Sequence, residues 1–175
     1  MRLGLGGQVR RVLAPKGVKV GQRLQIEYRW RYLLLGVDPR TGQLRWQWLD
    51  RFRQDQLKPV LAEWGLAAVI WDGAGAHRGK TLRELPTQRL FLPPASPQLN
   101  PAERVFEEIR RRVEGRAYPD LAATQAMVDA YLHELAADPA RVQRLCGWAW
   151  LRAAFATLPP PPAATPATTG LPPCL

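Results

Sequence analysis

The short apolar run at residues 67–71 (AAVIW), which ends directly on Asp72, is the feature that most restricts the fold. A continuous apolar run of this length between turn signals indicates a strand buried on both faces, as in sheets covered by helices on each side. An acidic residue at the end of such a strand needs water, a cation or a hydrogen-bond partner, because burying an unpaired charge is unfavourable. The run therefore predicts an α/β fold with Asp72 at the sheet edge, where the small residues 73–76 leave space in front of it.

The rest of the chain supplies a hairpin, a further strand and several helices. Two strand-like segments flank a Pro/Gly turn, which predicts an antiparallel hairpin, and the strand–helix–strand order implies some parallel pairing. We predict a single domain over residues 1–155, with a mixed sheet flanked by helices. The predicted strands are 29–37, 43–49, 67–71 and 89–92, and the predicted helices are 55–64, 79–85, 102–116, 121–135 and 139–155.

Composition indicates where the ordered domain ends and which cysteine chemistry and cellular location are expected. Residues 156–175 are mostly Pro, Ala and Thr, which predicts a disordered tail. Cys146 and Cys174 form no CxxC pair, so neither a zinc site nor a disulfide framework is predicted. No leader and no apolar run of ~20 residues is found, which favours a soluble, cytoplasmic protein without membrane contact.

The positive charge is concentrated in the first third of the chain. Residues 1–58 hold 13 Lys and Arg against 4 Asp and Glu, out of a net charge of +10 for the whole chain. A one-sided basic surface favours a polyanion such as nucleic acid, although a solvated basic face gives the same composition. The candidate nucleic-acid contacts are Arg10, Arg11, Lys16 and Lys19 in this segment, with Arg104 and Arg111 on the predicted helix 102–116.

Two carboxylates are candidates for metal chemistry. Glu103 falls in the first turn of the helix that begins after Pro101, and packing of that helix on the sheet would bring it to the strand end that carries Asp72. A converging carboxylate pair can hold Mg²⁺ or Mn²⁺ ions ~4 Å apart for phosphoryl transfer. The structural alternatives are an Asp72 that only forms a turn and a Glu103 that is only an acidic residue favoured by the helix dipole at the N-terminus of its helix.

His77 is a third candidate, five residues after Asp72. A histidine beside a metal-carboxylate site can position phosphate or carry a proton. A surface-loop histidine explains the position equally well.

Three stretches together resemble one family. They are LLLGVDPRTGQ at residues 33–43, VIWDGAGAH at 69–77 and FLPPASPQLNPAERVFEEIRRRV at 91–113. The family is the DDE endonuclease domain of bacterial insertion-sequence transposases related to mariner elements, and the resemblance covers roughly residues 1–135.

The resemblance implies a ribonuclease-H-like fold and a carboxylate triad that binds two Mg²⁺ or Mn²⁺ ions. It assigns Asp72 and Glu103 to the second and third triad positions, His77 to the catalytic site, and Asn100 and Pro101 to positioning of the glutamate helix. The implied partner is double-stranded DNA, both element ends and target, with a homodimer suggested by the pairing of two ends.

The first triad aspartate is expected just upstream of Met1, since Arg2 and the residues after it resemble the stretch that follows it in the family. The truncation would remove the start of the first strand. Asp38, Asp50 and Asp55 are poor substitutes because they lie in or after the hairpin.

Two principal functions follow, with a weaker third. The first is a two-metal DNA endonuclease and strand-transferase that cuts transposon ends and joins them to target DNA, inactive if the missing aspartate is essential. The alternative is a catalytically dead remnant that acts only as a DNA-binding fragment. A different ribonuclease-H-like nuclease is the third interpretation.

Overall fold

The computed structural model describes residues 1–6, 13–21 and 27–156. Strands come first and helices dominate the second half. None of the helices within these ranges is long and apolar enough to cross a bilayer. The strands are β1 (Arg2–Gly4), β2 (Trp30–Asp38), β3 (Gln43–Leu49), β4 (Ala68–Trp71) and β5 (Gln88–Phe91). The α-helices are α1 (Gln54–Trp64), α2 (Ala102–Val113), α3 (Leu121–Ala136), α4 (Pro139–Cys146) and α5 (Ala149–Ala156), and short 3₁₀ helices span Gly75–Arg78, Lys80–Glu84 and Pro97–Leu99.

The strands form two sheets. Strands β1, β2 and β3 are antiparallel neighbours, and β2 and β3 make the predicted hairpin. Strands β4 and β5 pair in parallel, as the strand–helix–strand order predicted. The α/β class is confirmed, but hydrogen bonds divide the strands into two sheets instead of the one mixed sheet that was predicted.

Strand β4 is less buried than its sequence suggested. Trp71 is buried, whereas Ile70 is 50% exposed and Leu90 on the neighbouring strand is 45% exposed. The prediction of a strand buried on both faces was wrong, because β4 belongs to a two-stranded sheet of which only one face packs on a core. Apolar composition alone does not distinguish the two situations.

Strand β2 separates two hydrophobic cores, since successive side chains of a strand point to opposite faces. Leu33 and Leu35 face one core and Leu34 faces the other. The α2–α4 core consists of Leu3, Leu33, Leu35, Ala102, Val105, Phe106, Ile109, Val128, Tyr131, Leu132, Leu135, Val142 and Cys146. The α1 core consists of Leu34, Leu49, Leu57, Leu61, Trp71 and Leu82.

The ends of the helices have local causes. Gly65 adopts a left-handed conformation (φ 57°) and stops α1 where the sequence predicted. The carboxyl groups of Asp120 and Asp138 accept hydrogen bonds from the backbone N–H groups at the starts of α3 and α4. The predicted helix 139–155 is interrupted at Gly147, which separates α4 from α5, and α2 ends at Val113 instead of Arg116.

Two contacts tie the hairpin to the later helices. The indole Nε1 atoms of Trp46 and Trp48 both donate to Oδ1 of Asp129 on α3, at 3.0 and 2.8 Å. At the hairpin turn, Gly42 has φ 76° and approaches the start of α4 so closely that an added Cβ would lie 2.2 Å from the carbonyl oxygen of Pro139. The sheet and the helical layer are therefore joined at both the middle and the tip of the hairpin.

Candidate active site at the end of strand β4

Asp72 follows the last residue of β4, as the sequence predicted. Its side chain is 61% exposed, and its Oδ1 accepts a hydrogen bond from the backbone N–H of Ala74 at 3.2 Å. One carboxylate oxygen is thus engaged by the turn, and the exposed carboxylate keeps further acceptor capacity for a ligand.

His77 is held against Asp72 by an aromatic cage. Its Nδ1 lies 2.6 Å from Oδ1 of Asp72 and 3.1 Å from the Asp72 carbonyl oxygen. The imidazole stacks on Trp71 with ring centroids 4.2 Å apart and planes at 5°, and the Phe52 ring meets it edge-on at 5.2 Å. Oδ1 and the carbonyl oxygen of Asp72 can only accept hydrogen bonds, so Nδ1 of His77 carries the proton that is donated.

The outer nitrogen of this histidine is buried. His77 is only 7% exposed, and its Nε2 has no hydrogen-bond partner among the described residues. The ring therefore presents no free nitrogen to a substrate in this conformation. Its geometry suits it to orienting the Asp72 carboxylate.

Glu103 lies in the first turn of α2, and hydrogen bonds of Asn100 and Pro101 hold this turn in place. The Asn100 side-chain oxygen accepts from the backbone N–H of Ala102 at 3.1 Å, and the Asn100 carbonyl accepts from the N–H of Glu103 at 3.0 Å. The thiol of Cys146 donates to the Pro101 carbonyl at 3.4 Å. Burial raises the pKa of this thiol to about 11, so it remains a protonated donor at neutral pH.

One cleft contains both carboxylates. It has a volume of about 430 Å³ and is lined by residues 72–74, 92–97, Asn100 and Glu103. Its wall includes Ala95, whose φ of 54° is a left-handed conformation that non-glycine residues rarely adopt. Arg110, two turns after Glu103 on α2, places Nη2 3.4 Å from the Glu103 carboxylate.

The start of β1 lies near the same cleft. The pKa of the Met1 amino group is lowered by burial, and the carboxylates of Glu103 and Asp72 oppose this change. The position just before Arg2 is thus within electrostatic reach of both carboxylates. The expectation of a first aspartate just upstream of Met1 stays a prediction.

The donor set fits a hard divalent cation. Two carboxylates line one solvent-open cleft, and Mg²⁺ and Mn²⁺ prefer oxygen ligands. Within residues 1–6, 13–21 and 27–156, however, no group of three or more His, Cys, Asp or Glu side chains is arranged to hold a metal ion.

None of the candidate DNA contacts that the structure describes lines the cleft. Arg104 pairs with Glu107 at 3.3 Å, and Arg111 pairs with Glu107 and Glu108 at 2.9 and 2.7 Å. Lys16 and Lys19 are exposed. Arg10 and Arg11 fall outside the described residues.

Sequence reasoning missed the residues that surround the two carboxylates. Phe52 and Trp71 enclose His77, and Arg110 pairs with Glu103. The spacing of Arg110, seven residues after Glu103, is a usable signal because it places both on one helix face. No periodicity or motif in the sequence indicates that Phe52 contacts His77, which lies far from it along the chain.

A family model described as DDE superfamily endonuclease matches residues 38–125, half of the chain and the part that contains Asp72, His77 and Glu103. The chain belongs to this superfamily. The resemblance drawn from the three sequence motifs is thereby confirmed. No curated protein matches the chain.

Solved structures of Mos1 transposase complexes have a similar fold. The Mos1 strand transfer complex superposes with a TM-score of 0.67 at 12% identity, covering 89% of this DDE chain and 50% of the Mos1 chain. The Mos1 mariner paired-end complex with Mn gives 0.62 at 9% identity, covering 87% and 53%. The Mos1 paired-end complex with the left transposon end gives 0.59 at 11% identity, covering 82% and 52%.

The low sequence identities and partial coverage of the Mos1 chains limit what the structural likeness shows. At 9 to 12% identity the similarity establishes the fold, and the DDE chain spans about half the length of each Mos1 chain. The fold likeness to a mariner transposase agrees with the ribonuclease-H-like architecture predicted from the sequence.

Proposed function

We propose that this chain is the catalytic domain of a DNA transposase, which cuts DNA at transposon ends and joins the cut ends to target DNA. The observation that carries the proposal is the single cleft lined by Asp72 and Glu103. Membership of the DDE endonuclease superfamily and a fold like that of Mos1 transposase support the same conclusion.

In this proposal Asp72 and Glu103 hold two Mg²⁺ or Mn²⁺ ions in the cleft. Bound divalent ions supply activation of the attacking oxygen and neutralise charge on the scissile phosphate. The Asn100 and Pro101 contacts fix the first turn of α2 and so fix Glu103. Arg110 balances the charge of Glu103 from the same helix.

His77 acts through Asp72 in this scheme. The 2.6 Å contact from Nδ1 orients one carboxylate oxygen, while stacking on Trp71 prevents the ring from turning away. Partners of metal-binding side chains commonly tune metal affinity in this way. The role predicted for His77 is accordingly narrowed from catalytic to positioning.

The His77→Gln variant should need more Mn²⁺ than the wild type. We expect the half-saturating Mn²⁺ concentration for DNA nicking to rise about tenfold or more, as for other partners of metal-binding side chains. The matched control is Phe52→Leu, which removes the edge-on ring contact but keeps the hydrogen bond to Asp72. An unchanged Mn²⁺ requirement in His77→Gln would show that the histidine is purely structural.

The function itself is tested by nicking of duplex DNA that carries the ends of the element. Cleavage should require Mg²⁺ or Mn²⁺, stop in EDTA and leave a 3′-hydroxyl that joins to a supercoiled plasmid in a second step. Cleavage that continues in EDTA, or that leaves a 3′-phosphate, contradicts the proposed chemistry.

A second candidate is DNA binding without cleavage. The excess of 13 basic over 4 acidic residues in positions 1–58 favours it. It predicts salt-dependent DNA affinity with no metal-dependent product. In either case we propose double-stranded DNA as the partner and a homodimer as the assembly that pairs two ends.

A further inference from the structure

Helices α4 and α5 carry charge of one sign only. Residues 139–156 contain Arg141, Arg144 and Arg152 and no aspartate or glutamate. They lie beyond residues 38–125, the part that matches the family. The family match therefore gives no account of this basic segment.

Three arginines surround a second cleft, between the hairpin turn and these helices. Its volume is about 470 Å³, and it shares no lining residue with the cleft that contains Asp72 and Glu103. Its lining includes Pro39, Arg40, Gln143, Arg144, Leu151 and Arg152. Guanidinium groups arranged around an opening of this size suit phosphate oxygens, which they bind through paired N–H donors.

Nearby carboxylates neutralise this cleft only in part. Arg40 lies 3.6 Å from Asp38, and Arg144 lies 3.8 Å from Asp138 with both side chains at least half exposed. Arg152 is exposed and has no acidic partner among the described residues. The exposed Arg144–Asp138 pair is weak, so a phosphate can compete for Arg144.

An aromatic pair, Trp148 and Trp150, lies in the chain between Gly147 and Leu151, which both line the cleft. Trp148 and Trp150 stack with ring centroids 5.7 Å apart, and Trp150 remains 51% exposed. The guanidinium of Arg104 lies 5.6 Å from the Trp148 ring centroid. Because Arg104 directly follows Glu103, this contact brings the start of α5 next to the helix that carries the candidate catalytic glutamate.

We propose that the α4–α5 surface, defined as Arg40, Arg144, Trp150 and Arg152, binds a single-stranded segment of DNA. The arginine cleft takes the backbone phosphates and Trp150 stacks on an unpaired base. A duplex offers no free base for Trp150 to stack on, because its bases are already stacked on one another. The inference rests on the proposed function, because cuts at offset positions in the two strands beside Glu103 would leave an unpaired overhang near this surface.

The test is fluorescence anisotropy in EDTA, with a labelled single-stranded oligothymidylate and a duplex of the same length as probes. Trp150→Ala should weaken single-strand binding roughly tenfold and leave duplex binding unchanged. Arg144→Gln and Arg152→Gln should each weaken binding and reduce the slope of log affinity against log salt by about 0.7. Trp30→Ala and Arg83→Gln are matched controls, because they alter exposed residues elsewhere.

Several results would overturn the inference. The first is that Trp150→Ala and Arg152→Gln bind the single-stranded oligonucleotide as tightly as the wild type does. Another is an equal loss in Arg83→Gln, which would reduce the effect to net charge. A third is a change in solution molar mass of Trp150→Ala without a change in DNA affinity, which would make the surface a protein contact.

The binding test is independent of the proposed function. EDTA removes any metal-dependent reaction, so oligonucleotide binding is measured without turnover, and the difference between Trp150→Ala and the wild type gives the contribution of the α4–α5 surface. Loss of binding in Trp150→Ala together with nicking that ignores Asp72 supports the surface and rejects the catalytic assignment. Unchanged binding together with nicking that depends on Asp72 rejects the surface and supports the catalytic assignment.

Discussion

Asp72→Asn and Glu103→Gln should each reduce Mn²⁺-dependent nicking by about a thousandfold, which corresponds to about 4 kcal/mol of transition-state stabilisation. Each substitution keeps the shape of the side chain and removes the charge that a divalent cation requires. Both residues line one cleft, so loss of either one dismantles the same site. Initial rates on labelled duplex DNA measure the effect.

Matched controls separate this effect from changes in folding or overall charge. Glu107→Gln alters a 40% exposed glutamate one turn along α2, and Asp50→Asn alters a 72% exposed aspartate paired with Arg31. Both controls should nick at near wild-type rates. Calorimetric titration of Mn²⁺ gives a second readout that does not depend on turnover. A cleavage rate in Asp72→Asn above a tenth of wild type, with unchanged Mn²⁺ binding, would refute the metal site.

Gly42→Ala should lower the free energy of unfolding by about 3 kcal/mol. A left-handed alanine costs about 1–2 kcal/mol, and forcing a methyl group into a closed contact adds about 1–3 kcal/mol. Both terms apply at Gly42, because its φ is 76° and the added Cβ would lie 2.2 Å from the Pro139 carbonyl oxygen. Urea denaturation followed by circular dichroism measures the loss.

Gly65→Ala is the control for this prediction. Gly65 is also left-handed, with φ 57°, but a Cβ there meets nothing within 4 Å. Its substitution should lower stability by about 1 kcal/mol through backbone strain alone. The difference between the two variants measures the contact between the hairpin turn and α4. Equal losses would mean that the turn and the helix separate easily in solution.

Local features of the fold could be predicted from the sequence. The hairpin, the stop at Gly65 and the start of α2 after Pro101 all depend on nearest neighbours in the chain, and all three occur where expected. The position of Asp72 at a strand end follows from the same kind of local pattern. Its shared cleft with Glu103 followed only from the expectation that α2 packs against the sheet.

Features that depend on distant packing could not be predicted. The apolar run of β4 has the composition of a buried strand, yet Ile70 is half exposed because only one face of its sheet is covered. The surroundings of His77 include Phe52, which no periodicity connects to it. The break at Gly147 also escaped prediction, because a single glycine inside a helical pattern is often tolerated.

The division of the molecule into two cores has a consequence for how ion binding and unfolding are linked. Asp72 follows Trp71 of the α1 core, whereas Glu103 follows Ala102 of the α2–α4 core. An ion held by both carboxylates would cross-link the two halves of the domain, and it would be released as soon as either half opened. Mn²⁺ should therefore raise the melting temperature and make the unfolding of the two cores more cooperative.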